Sequence, residues 1–204
     1  ESQDESLQYA YGQVYFQGVS RLLRRPDIAA QMKLAAEQDL AALHLGSNIG
    51  TESFFMALGG EHRVRVHGYD LVCSLVDHAK LLRDRHGLDP TSVSFTCGDA
   101  LAADLRQAAL VWLDNQAWDP SFMRRMYQKL AEELPPGAVV IDFAAMDSEW
   151  DYPRDWDNSR PESVASSLDT TACATLDTSW DRGSGADVAI LRQRSQSTAG
   201  IADQ

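Results

Sequence analysis

Residues 41–60, AALHLGSNIGTESFFMALGG, decide the fold. Ala-Ala-Leu-His-Leu is a short apolar run that breaks at Gly46 and Gly50, and Phe54, Phe55, Met56 and Leu58 follow as the buried side of a helix. A strand, a glycine turn and a helix in that order bring backbone amides and a helix N-terminus up against a nucleotide-like ligand. Glycine spacing separates the ligands. A dinucleotide fingerprint needs glycine at its first, third and sixth positions, held here by Gly46, Asn48 and Thr51, one match of three. A G-x-G-x-G loop of the S-adenosylmethionine kind meets Gly46, Asn48 and Gly50, two of three. No pyrophosphate has to approach that second loop closely, so a small polar residue in its middle is the more tolerable lapse.

Outward from the loop, strand and helix patterns alternate. Residues 63–69 (RVRVHGY) have period two, with Val64 and Val66 on one face, and Asp70 ends the run. Leu71, Leu75, Val76, Ala79 and Leu82 then recur at helical spacing as far as Gly87 and Pro90. Residues 92–97 predict a strand closed by Gly98-Asp99, a short helix follows, and residues 109–113 read as a fully buried strand. Asp119-Pro120 opens a helix with Phe122, Met126, Leu130 and Leu134 inward, Pro135-Pro136-Gly137 stops it, and residues 138–143 predict the next strand. Alternation of this kind argues for an α/β fold, a mostly parallel sheet with helices on both faces and residues 42–45 at its centre. Residues 172–178 and 187–192 flank Arg182-Gly183-Ser184-Gly185 without a helix between them, a C-terminal antiparallel hairpin. Residues 146–168 are polar and acidic and carry Trp150, Tyr152 and Trp156, either a lid over the site or an interface anchor.

Composition bounds the function. The 204 residues, 44 % hydrophobic, suffice for one sizeable core. We assign residues 1–8 to an acidic arm, 9–194 to a single domain and 195–204 to a flexible tail. No run approaches the about 18 apolar residues of a membrane span. A net charge of −12 argues against a sequence-independent grip on nucleic acid and for a basic protein partner or substrate. Arg21, Arg24 and Arg25 cluster at helical spacing, the pattern of a solvated face. Cys73, Cys97 and Cys173 are odd in number and far apart, with no C-x-x-C pair; buried reduced thiols are expected, and no metal site. The chain opens on Glu1 rather than Met, as a trimmed or a processed form would.

Polar groups recur where the strands end, the place where open α/β sheets bind ligands. Asp70 lies 20 positions after Gly50, the usual place of a carboxylate that accepts both ribose hydroxyls. Asp99 ends the next strand, where a carboxylate can accept from an exocyclic adenine amine. Asp114-Asn115 ends the strand beside the glycine loop, near the reactive end of such a ligand. Asp70 and Asp99 also suit N-caps, since each directly precedes a helical run. Their joint position beside a glycine loop favours a site.

The chain resembles the Dot-one family, the non-SET histone lysine methyltransferases. Residues 9–14 (YAYGQV) are similar to that family's Y-G-E-V segment, and residues 45–50 (LGSNIG) to its D-L-G-S-G-V-G loop. Gly68-Tyr69-Asp70 resembles its G-I-E, residues 94–99 (SFTCGD) its strand ending in G-D, and residues 113–120 (LDNQAWDP) its V-N-N-F-A-F-x-P. Ser179-Trp180 matches a serine-tryptophan of the final hairpin. The likeness covers about Tyr9 to Arg192; its glycine loop is generic, whereas Y-G-x-V and D-N-x-A-W-x-P are specific. The resemblance implies a class I, Rossmann-like methyltransferase sheet of seven strands with S-adenosylmethionine as cofactor. By that resemblance Tyr11, Gln13, Gly46, Ser47, Gly50, Asp70 and Asp99 hold the cofactor. Asp114, Asn115, Trp118 and Trp180 form the catalytic region, Asp114 accepting from the amine and the two tryptophans walling the channel. A nuclear compartment follows from the resemblance, an organellar one from a processed N-terminus.

The departures are specific. The family's acid before the first glycine is His44, its Y-G-E-V glutamate is Gln13, an asparagine is Asp114, and a channel aromatic is Gln116. S-adenosylmethionine carries an ammonium and a sulfonium, so a lost carboxylate removes a charged hydrogen bond worth about 1.5–3 kcal/mol. The adenosine half of the pocket is retained and the methionine half altered. Two readings therefore stand, a protein methyltransferase and a methyltransferase fold serving as an inactive structural subunit or adaptor. A nicotinamide-dependent reductase is the weakest fit to the glycine spacing.

Overall fold

The computed structural model describes residues 14–59, 62–143, 167–176 and 186–194. In chain order these form α1 (Phe16–Leu23), α2 (Pro26–Glu37), β1 (Ala41–Leu45), α3 (Thr51–Gly59), β2 (Arg65–Asp70) and α4 (Cys73–Arg85). There follow β3 (Val93–Cys97), a single 3-10 turn (Ala100–Ala102), β4 (Ala108–Leu113), α5 (Pro120–Glu133), β5 (Val139–Asp142), β6 (Leu168–Leu176) and β7 (Ala186–Gln193). The seven strands make one sheet in the order β3-β2-β1-β4-β5-β7-β6. Strands β1 to β5 pair in parallel; β7 runs antiparallel to both β5 and β6. The strand order reverses between β1 and β4, and an open sheet binds ligands at such a switch point.

Burial explains which segments became which strand. Every residue of β4 (AALVWL) is buried because apolar groups cover both faces of the sheet there. Strands β2 and β3 keep the alternation expected near a sheet edge, with Val66, Val93 and Phe95 inward. On one face α1 to α3 pack through Val19, Leu22, Ile28, Met32 and Met56 against Ala42, Leu110 and Trp112, and α4 packs Val76 and Ala79 against Val93 and Phe95 in a smaller cluster. On the other, α5 packs Met123, Met126, Tyr127 and Leu130 onto Leu43, Leu45, Val111 and Val140.

Three features differ from the expectation. Residues 16–37 form two helices before the first strand; α2 starts on Pro26 at its first turn with Asp27 beside it, a start signal that the basic cluster obscured. Arg21 and Arg24 are exposed as expected, but Arg25 is half-buried and pairs with Asp27 at 3.3 Å. Strand β6 begins at Leu168 rather than at residue 172, and Leu168 is buried in the α5-side core. Trp150, Tyr152 and Trp156 lie outside the described residues.

The cysteine expectation is corrected. Cys73 and Cys97 form a disulfide with their Cα atoms 4.9 Å apart. Their separation of 24 residues hides the contact, because Cys97 ends β3 opposite Asp70, the last residue of the neighbouring β2, and Cys73 opens the helix just beyond. Closing a loop of that size contributes about 3 kcal/mol through the unfolded chain in the entropy model.

Candidate functional site

The ends of β1, β2, β3 and β4 open onto one cleft of about 410 Å³, within the roughly 300–1,000 Å³ of small-molecule sites. Gly46, Asp70, Asp99, Asp114 and Trp118, all singled out from the sequence, line it together, with Gln116 and Asp119 beside them. Asn48, Leu71, Val72, Ala100, Phe122 and Arg125 line it too.

The glycine loop is wound tightly over the end of β2. Gly46 and Gly50 have φ of +86° and +84°, and Asn48, in the place of the middle glycine, has φ of +50°. Asparagine is among the few side chains that enter this left-handed region readily. A Cβ on Gly46 would stand 2.6 Å from the Asp114 carbonyl oxygen, and one on Gly50 would stand 2.5 Å from Phe95 Cζ. Every amide from 46 to 50 already has an acceptor. Gly46 and Ser47 both donate to the Tyr69 carbonyl at 2.8 Å, and Gly50 to the Ser47 carbonyl at 2.7 Å. Asn48 N–H donates to Asp70 Oδ2 and Ile49 N–H to Asn48 Oδ1, each at 2.7 Å.

Asp70 is held from both sides, accepting from Asn48 N–H and, through Oδ1, from Val72 N–H at 2.8 Å. Asp99 caps the 3-10 turn, accepting from Leu101 N–H at 2.8 Å. The capping role and the site role therefore coincide at Asp99, and at Asp70 the local bonds fix a carboxylate that faces the cleft. On the α5 side Trp118 and Phe122 meet edge to face at 4.9 Å, and the Arg125 guanidinium lies 5.5 Å over the Phe122 ring.

The β1–β4 end is different. Half-buried Asp114 has its carboxyl pushed well above the ordinary carboxylate range, first by burial and then by the charges of Glu52 and Asp70. Glu52, in the first turn of α3, is 3 % exposed and accepts from Val14 N–H at 3.0 Å; burial pushes its carboxyl up as well. His44 does not line the cleft. It is fully buried, with Nδ1 2.9 Å from Ser53 Oγ, and burial pushes the imidazole down to about 3, so the ring is neutral at physiological pH.

Other candidates are placed apart from the cleft. Asn115 is 1 % exposed and turned away, donating from Nδ2 to Asp142 Oδ1 at 2.9 Å, while Tyr127 OH donates to Asp142 Oδ2 at 2.6 Å. Ser47 is fully buried with its Oγ against the backbone of Gly68 rather than at the cleft. Tyr11, Gln13 and Trp180 lie outside the described residues. Glu52 and the wall formed by Phe122 and Arg125 were missed from the sequence, since Glu52 reads as an ordinary first-turn acid and Phe122 as core.

No family model matches the chain, and no curated protein matches it significantly. Solved structures do. The chain is similar to an RNA methyltransferase from Salinibacter ruber in complex with S-adenosyl-L-homocysteine, at 21 % identity and a TM-score of 0.53 over 88 % of this chain and 98 % of that one. It is similar to magnesium protoporphyrin IX methyltransferase from Synechocystis PCC 6803 with bound SAM, at 14 % identity and a TM-score of 0.56 over 94 % and 90 %. N-methyltransferase NodS from Bradyrhizobium japonicum WM9 is similar at 14 % identity and a TM-score of 0.51 over 85 % and 99 %. The fold is the Rossmann-like fold of class I methyltransferases.

Proposed function

We propose that this chain is an S-adenosylmethionine-dependent methyltransferase whose acceptor is a nitrogen on a basic protein partner. One observation carries the reading. All five amides of the glycine loop are engaged within the protein, while among the described residues Asp70, Asp99, Asp114 and Asp119 line the cleft with one guanidinium, that of Arg125. A pyrophosphate would meet no free amide and an acidic wall, whereas a cationic nucleoside meets complementary charge. The methyltransferase structures similar to this chain, two of them holding SAM or its demethylated product, support the same ligand.

S-adenosylmethionine supplies a methyl group on a sulfonium; the remaining work falls to the chain. Asp70 accepts the ribose hydroxyls, since each carboxylate oxygen has a second lone pair beside its bond to Asn48 or Val72. Asp99 accepts from the base amine, and Leu71, Val72, Trp118 and Phe122 flank the ring and exclude water. Asp114 faces the reacting end, where a carboxyl oxygen accepts a hydrogen bond from the acceptor amine. The transfer itself needs a neutral nitrogen placed in line and a site closed to water.

Lysine as the acceptor is the finer part of the proposal. It is supported by the Y-G-x-V and D-N-x-A-W-x-P likeness to the Dot-one family and by the net charge of −12, which suits a basic partner. Tyr11, Gln13 and Trp180 enter the site by the same likeness. A second reading, a structural subunit that keeps the fold without the chemistry, is favoured by His44, a neutral and buried ring where the family has an acid. Calorimetry separates the two. S-adenosylmethionine and S-adenosylhomocysteine bind and NAD does not if the proposal holds; no heat from either adenosyl ligand at millimolar concentration overturns it and leaves the subunit reading.

A further inference from the structure

The Cys73–Cys97 disulfide ties together the two loops that form the nucleoside end of the cleft. Leu71 and Val72, which line the cleft, directly precede Cys73; Gly98 and Asp99, which also line it, directly follow Cys97. Beside this bond Gly98 N–H donates to the Asp70 carbonyl at 2.9 Å, and Cys97 Sγ lies 3.8 Å from the Leu71 carbonyl oxygen. Among the described residues strand β3 is the edge of the sheet, and β2 is the one strand that holds its end in place. Cys73 is exposed at the start of α4, whereas Cys97 is half-buried against the small core of Val76, Ala79, Val93 and Phe95. A thiolate from solvent can therefore attack the disulfide at Cys73, with Cys97 leaving into a confined position from which it re-forms the bond.

We infer that the Cys73–Cys97 disulfide is a redox-controlled brace of the nucleoside end, which tightens ligand binding when oxidised and loosens it when reduced. The inference rests on the proposed binding of S-adenosylmethionine in this cleft. The step is a two-electron exchange. An external dithiol attacks Cys73 Sγ, the S–S bond breaks, Cys97 takes a proton as a thiol, and the second thiol of the reagent closes its own disulfide and releases Cys73 as a thiol. Oxidised, the two loops are already in their bound relation. Reduced, ligand binding has to order them, and the lost preorganisation appears as lower affinity.

The test uses S-adenosylhomocysteine as probe on three samples: the chain as isolated under air, the chain treated with excess dithiothreitol, and the Cys73→Ser/Cys97→Ser variant. Affinity is read by calorimetry, and amide hydrogen exchange is read at Val72 and Gly98, with β4 as the internal control for global folding. Reduction should expose two additional thiols, weaken the probe about tenfold, and speed exchange at Val72 and Gly98 while β4 stays protected. The double variant should match the reduced chain; if it fails to fold, the reduced chain alone decides. Equal affinity and equal exchange in the oxidised and reduced forms, or no gain of two thiols, overturns the inference. Absence of probe binding in every form with exchange still redox-dependent overturns the methyltransferase reading and leaves the brace standing.

Discussion

At the β2–β3 end of the cleft, Asp70 and Asp99 accept backbone amides at 2.7–2.8 Å, and the loops that carry them are cross-linked. At the β1–β4 end, burial pushes the carboxyls of Asp114 and Glu52 up, the charges of Glu52 and Asp70 push Asp114 further, and the ring of His44 is neutral. The same residue type thus does opposite things at the two ends of one cleft. Carboxylates that bond local amides are fixed acceptors, suited to hydroxyls and amines that never change charge. Carboxyls packed against other carboxyls gain from a positive neighbour, which is what a sulfonium or ammonium supplies. The difference teaches that the two ends of one cleft suit different partners.

Removing Asp70 is expected to have the largest effect. Asp70→Ala deletes two amide acceptors and the proposed ribose contact, and with a charged hydrogen bond worth about 1.5–3 kcal/mol the loss in S-adenosylhomocysteine affinity should reach about a hundredfold by calorimetry. Asp114→Ala at the other end should weaken the same neutral-sulfur ligand less than it weakens S-adenosylmethionine. An equal loss for both ligands would erase the distinction between the ends.

The next effect is on acid stability. The unfolded His44 ring titrates near its ordinary 6.5 and the folded one near 3, so below pH 6.5 the unfolded state binds a proton that the folded state refuses. Stability contributed in this way is complete above pH 6.5 and declines as pH falls toward 3, by about 1.4 kcal/mol per unit at most. Denaturant midpoints measured from pH 7 to pH 5 should fall for the natural chain and fall less for His44→Gln. A parallel decline in both would locate the titrating group elsewhere.

Behind the β4 end of the cleft, Tyr127→Phe leaves one oxygen of the buried Asp142 without that donor. Thermal unfolding should show a loss of about 1–2 kcal/mol, with nucleoside affinity retained because the network does not line the cleft. Strong loss of affinity at unchanged stability would instead make Asn115 and Asp142 part of the site.

The smallest effect has a sign that discriminates. A carboxyl whose folded value is raised keeps its proton where the unfolded chain has lost it, so stability drains away as pH rises from about the ordinary 3.8 through the folded value. Asp114→Asn should therefore raise the unfolding temperature by a few degrees, equivalent to about 1 kcal/mol, at pH 8 and not at pH 4. A gain at both pH values would mean that packing rather than charge is relieved.

The alternation of apolar runs and helical patterns was enough to read seven strands, their mostly parallel pairing, the central place of β1 and the antiparallel end, because period and turn residues are local properties of the chain. The glycine loop and the acids at strand ends were legible for the same reason: Gly46, Asp70, Asp99 and Asp114 converge because parallel strands deliver their C-terminal ends to one edge. Tertiary structure alone decided the rest. Whether a side chain after a strand faces the cleft or the core separates Asp114 from its neighbour Asn115, and it turned Ser47 and His44 inward. The Cys73–Cys97 bond depends on β2 and β3 lying side by side, a pairing between segments that no spacing along the chain encodes. The raised carboxyls of Glu52 and Asp114 arise first from burial, and at Asp114 also from the charges of Glu52 and Asp70, and burial is a property of the assembled fold, not of either residue.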